Sequence, residues 1–210
     1  MTEDSFIIVR VSEETILDVS YVLSSQEAFV KVVEILSTEL KKKNSGGVSW
    51  MDMFMSLNGD LLDSFISVLK MLTGKIYDTD YDDIEASGNS PVLQIQKILV
   101  ETGIAQLLIE IIFTLYDPFK EIISNNAITE DKAIRLKVAE IFELSYILVE
   151  KIVKEFIENK IYFSRWVDLF LEHSNNINRP FIQECLVNIL QNNPVSIKAM
   201  ISETIINDLI

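Results

Sequence analysis

The chain has little of what reactive or cross-linked proteins rely on. Its 210 residues hold one cysteine, Cys185, and one histidine, His173. A single thiol excludes an internal disulfide and fits a reducing compartment. It lies in the apolar helix pattern FIQECLVNIL, where a thiol packs as a small hydrophobe rather than acting as a nucleophile. His173 closes a helical pattern just before SNNINRP, a place where an imidazole meets the last carbonyls of a helix. No HExxH, CxxC, GxSxG or phosphate-cradling glycine loop occurs, and no carboxylates pair at helical spacing in an apolar setting. The chain therefore reads as a non-enzyme that needs no cofactor.

Turn-formers and cations are scarce too. Six glycines and four prolines leave little room for a loop-rich β fold. Eighteen Lys and Arg face 32 Asp and Glu, for a net charge of −14. That field repels phosphate backbones, and no basic stripe interleaved with aromatics offsets it, so nucleic acid is excluded as a partner. The longest apolar run, IAQLLIEIIFTLY at residues 104–116, is too short for a span of ~20 residues and carries Gln106 and Glu110. It reads as a core helix, with no direct membrane span in this chain. The opening residues show neither a leader's apolar core nor a transit peptide's Arg-rich amphipathic pattern.

What is abundant is helix-forming material: 49% of the residues are hydrophobic and 24% charged. Residues 6–11, FIIVRV, are the exception and read as one strand without a visible partner. From residue 24 the pattern turns helical. Ser24 or Ser25 is the expected cap, Phe29, Val32, Val33, Leu36 and Leu40 recur at helical steps, and Lys41, Lys42 and Lys43 meet the negative end of the dipole before Gly46-Gly47. A second helix spans residues 57–77, with Asn58-Gly59 as a break or late start. Ser90-Pro91 opens a third, which Gly103 punctuates. The next ends at Asp117-Pro118. The longest is expected over residues 129–159, and shorter ones over 162–172, 180–191 and 194–207. The fold class is all-α, an armadillo-like stack or superhelix of about seven or eight helices with a short N-terminal strand or extended segment. No fixed repeat period is visible.

One loop, DTDYDDIEASGN, has calcium-site spacing in part. Asp78, Asp80 and Asp82 occupy the first, third and fifth positions of a helix–loop–helix calcium site. Its sixth position needs glycine and holds Asp83; its twelfth needs a bidentate carboxylate and holds Asn89. These three aspartates are metal candidates only, in what reads as a solvated linker.

Four stretches, in order, carry a family likeness: DSFIIVRVSEETILDVSYVL, LQIQKILVETGIAQLLIEII, VEKIVKEFIENKIYFSRWVDLFLEHS and FIQECLVNILQNNPVSIKAMISETII. Together they resemble the RIH domain shared by inositol 1,4,5-trisphosphate receptors and ryanodine receptors. The resemblance implies residues 1–23 as an extended lead-in like the exit from a β-trefoil (MIR) domain, and residues 24–210 as the RIH helical domain. It implies a structural and regulatory module of an intracellular ligand-gated calcium-release channel, on the cytosolic face of the endoplasmic reticulum or another calcium store. The implied partners are the β-trefoil and pore regions of that channel, as a homotetramer. In the inositol trisphosphate receptors, basic residues of the first RIH helices meet the phosphates. Lys97 matches one such position, but Leu93 and Val100 fall where the family has arginines. A trianion needs several charge-assisted contacts, so the departure favours a ligand-silent member. The alternative is a free-standing helical scaffold that binds a partner helix or peptide in a groove.

Overall fold

The computed structural model describes residues 13–46, 59–77, 91–124 and 132–194, and all regular structure among them is helical. The helices are α1 (Glu13–Gly46), α2 (Gly59–Tyr77), α3 (Pro91–Glu101), α4 (Ile104–Ser124), α5 (Lys132–Val153), α6 (Ile157–Phe163), α7 (Val167–Asn176) and α8 (Pro180–Leu190). A 3₁₀ turn, Ser164–Trp166, joins α6 to α7. The result is an all-α helical stack. Helix α5 is its hub, packed against α2, α4 and α8 and touching α3 and α6, while α1 lies across α3 and α4.

One continuous core links these elements. From α1 it takes Val22, Phe29, Val32, Val33 and Leu36, the face expected from their spacing. Phe29 meets Phe65 of α2 edge-on at 4.9 Å, and Phe119 of α4 stacks on Phe142 of α5 at 4.4 Å. Cys185 is fully buried among these apolar side chains, as its sequence context predicts.

The helix starts and stops differ from expectation in four places. First, α1 begins at Glu13, so Ser24 and Ser25 lie within it and do not cap it. Their hydroxyls turn back and donate to the Tyr21 carbonyl at 2.8 and 2.9 Å, as serine does inside a helix. The extended lead-in expected up to residue 23 is thus helical from Glu13 onward; the strand at residues 6–11 lies outside the described residues. Second, α4 runs through Pro118 to Ser124. The proline forfeits one backbone bond, but it and Phe119 are buried, and the Phe119–Phe142 stack carries the helix on. Third, the long helix ends at Val153 rather than at residue 159. Fourth, the helix expected over residues 162–172 is divided among the end of α6, the 3₁₀ turn and α7. The expected helix at 194–207 falls outside the described residues from residue 195 on.

Three of the helices end in the same way. Residues Gly103, Glu155 and Asn192, just past α3, α5 and α8, have φ of 81°, 59° and 58°. Left-handed backbone there turns the chain so that the last carbonyls are satisfied. Gly103 fits without strain and Asn192 tolerates it, but glutamate does not favour it.

Candidate functional site

Helices α4, α5 and α7 bring the only histidine into an aromatic centre. His173 is 1% exposed, and its Nδ1 shares a 2.5 Å hydrogen bond with the Tyr146 hydroxyl. Tyr116 stacks flat on the imidazole at 3.8 Å between ring centroids. Phe170 and Phe181 meet the Tyr146 ring at 5.7 Å. Burial lowers the His173 pKa to about 4, so the ring is neutral at physiological pH. Burial raises the Tyr146 hydroxyl, with smaller contributions from Cys185 and Tyr116, and it keeps its proton. Burial, followed by the Glu150 carboxylate, raises the Cys185 thiol and leaves it protonated and unreactive. His173 therefore does not use its side chain on the terminal carbonyls of α7. It joins three helices through one buried hydrogen bond and one stack.

A second polar centre lies where α5 stops. Gln96, fully buried on α3, donates through Nε2 to the carbonyls of Lys151 at 2.6 Å and Lys154 at 3.1 Å. Asn159, buried on α6, donates through Nδ2 to the carbonyls of Ile152 at 2.9 Å and Gln96 at 3.2 Å. Two primary amides from flanking helices thus cap the terminal carbonyls that α5 cannot bond internally. Side-chain donors also hold the end of α8, one from α6 and one from just past α8 itself. Lys160 donates to the Gln191 carbonyl at 3.1 Å, and Asn193 donates to Ser164 Oγ at 2.9 Å and the Ile189 carbonyl at 3.1 Å. Neither centre offers reactive groups to solvent. Both fix the angles at which helices meet.

Of the residues singled out for ligand chemistry, Lys97 alone is among the described ones. Lys97 is exposed on α3, and its ammonium lies 3.7 Å from Glu101 one turn on. Leu93 and Val100, which share its face of the helix, are half-buried and apolar. Asp78, Asp80 and Asp82 lie outside the described residues. Among the described residues, no three His, Cys, Asp or Glu side chains converge as a metal site. Gln96 and Asn159 were not foreseen as structural keys. The available signal was a glutamine at a position that the register of Ile95 and Leu99 buries.

The fold and its centres define an all-α module whose described polar centres serve packing and helix capping. More narrowly, the RIH domain family matches residues 59–210, well over half of the chain, and the chain belongs to that family. No curated protein and no solved structure matches it.

Proposed function

We propose that this chain serves as the RIH module of an intracellular ligand-gated calcium-release channel of the inositol trisphosphate and ryanodine receptor kind. The RIH match over residues 59–210 is the observation that carries this reading, since it covers every described helix from α2 to α8. In that setting the module works mechanically. A rigid stack fixed at its helix junctions by buried amides passes a displacement from one face to another with little loss. Its partners are the β-trefoil and pore regions of the channel, at the cytosolic face of a calcium store, in a tetramer. Silencing the gene in its own cells and following ligand-evoked release from calcium stores tests this. Reduced release is expected, and unchanged release overturns the reading.

The module is proposed to be silent toward inositol phosphates on its own. Lys97 pairs with Glu101, and its helix face offers no second cation where the family places arginines. Calorimetric titration with inositol trisphosphate is expected to give no heat of binding. Heat that disappears in Lys97→Ala would overturn this.

A further inference from the structure

Across the outer face of the stack runs an apolar groove of about 470 Å³, open to solvent and formed by α1, α4, the 3₁₀ turn and α7. Ile109 and Leu169 line it together with the rings of Phe113 and Trp166. Phe113 is 65% exposed, the most solvent-open of the large apolar side chains among the described residues. At the Trp166 end, the Arg165 guanidinium lies 5.2 Å from the Trp166 ring and 4.5 Å from that of Tyr162. Tryptophan, tyrosine and arginine gathered beside an exposed phenylalanine are the residue types that carry most of the energy at protein interfaces.

Among the described side chains around the groove, carboxylates outnumber cations. Glu110 lines it. One turn along each wall stands another exposed carboxylate: Glu34 before Ser37 on α1, Asp117 after Phe113 on α4, and Glu172 after Leu169 on α7. The neighbouring cation, Arg165, is laid against two rings rather than against these carboxylates.

We propose that this groove is the docking site for an amphipathic helix of a protein partner with an apolar face and a basic flank. Its apolar side chains at i, i+3 or i+4 and i+7 fill the trough between Phe113 and Leu169, and its lysines or arginines meet the acidic rim. Charge complementarity selects a basic helix over an acidic one and speeds encounter with a chain of net charge −14. The inference stands independently of the channel reading, because it rests on the groove alone.

The test uses the full chain and designed Leu/Lys peptides of about five helical turns, followed by titration calorimetry. Three peptides are compared: an amphipathic one, a scramble of the same composition, and an amphipathic one with glutamate for lysine. Phe113→Ser removes an exposed ring and leaves the core alone, and Glu110→Gln removes one rim charge. The basic amphipathic peptide is expected to bind, about tenfold or more weaker to Phe113→Ser and a few-fold weaker to Glu110→Gln, with affinity falling as salt rises. Binding that is equal for the scramble, equal for the acidic peptide or unchanged by Phe113→Ser overturns the proposal, as does no binding by the basic amphipathic peptide.

Discussion

Helix α5 is held at its two ends by opposite means. Along its first half, the seam with α2 is strapped by ion pairs at the surface: Lys137 to Asp63 at 2.7 Å and Lys70 to Glu140 at 2.6 Å. At its last turn, α3 and α6 hold it by buried amides that cap its carbonyls. A surface charge that loses its partner is taken up by water. A buried carbonyl that loses its donor has nothing to replace it. The same helix is thus tolerant at one end and exacting at the other.

The exacting end gives the largest expected effect. Asn159→Ala removes the donor to the Ile152 and Gln96 carbonyls and leaves a small void. A loss of about 2–4 kcal/mol is expected from the unpaired Ile152 carbonyl together with the void and the lost tie to α3. Urea denaturation measures it, and a loss no larger than that of a surface variant would erase the contrast between the two ends.

Why the sequence showed one end and not the other is itself physical. Gly103 and the Asn192 region announce their turns by residue type, and the apolar spacing of α1, α2 and α4 gives the core directly. The stop after Val153 carries no glycine, proline or asparagine at the left-handed position. It is produced by Gln96, 55 residues earlier, and by Asn159 on the following helix. Long-range amides leave no local mark, so the periodic pattern ran on to residue 159. Pro118 is the reverse case, a strong local stop signal overridden by the packing of Phe119 on Phe142. The RIH likeness was legible because it lies in the order of helical patterns. The acidic-rimmed groove was not, since its walls come from four separate elements.

The His173 centre lies between the two extremes, because its energy depends on pH. Folded, His173 titrates at about 4; unfolded, it titrates near the ordinary value of about 6.5. Between those values the unfolded chain binds a proton that the folded chain refuses. Stability therefore falls as the pH drops through this window and is fully lost to this group below about 4. The expected loss is about 2–3 kcal/mol. Denaturation of wild type and His173→Phe at several pH values isolates it, because the carboxylates titrate alike in both. The variant leaves the Tyr146 hydroxyl unpaired and is less stable at neutral pH, but its stability should change less between pH 6.5 and 4. Parallel profiles would place the titration elsewhere.

Glu155 and Asn192 compare like with like: two exposed residues with nearly equal φ, 59° and 58°, each just past a helix. Only the asparagine suits that backbone. Glu155→Asn is expected to stabilise the chain by about 0.5–1 kcal/mol, and Asn192→Glu to destabilise it by a similar amount. Opposite shifts in thermal midpoint would attribute the effect to the backbone. Two shifts of the same sign would attribute it to the side chains' surroundings.

The smallest effect belongs to the tolerant end, where the sign of the comparison is decided. Lys70→Ala breaks the pair with Glu140, yet both side chains reach solvent, so each is rehydrated when its partner is gone. The expected loss is under about 0.5 kcal/mol. It should vanish in about 0.5 M salt, where screening acts over a few ångströms. Asn159→Ala keeps its full cost in the same buffer, because the buried Ile152 carbonyl it leaves unpaired is not reached by ions. If salt removed both losses alike, the corner at the end of α5 would be wet rather than sealed, and the two ends would differ only in degree.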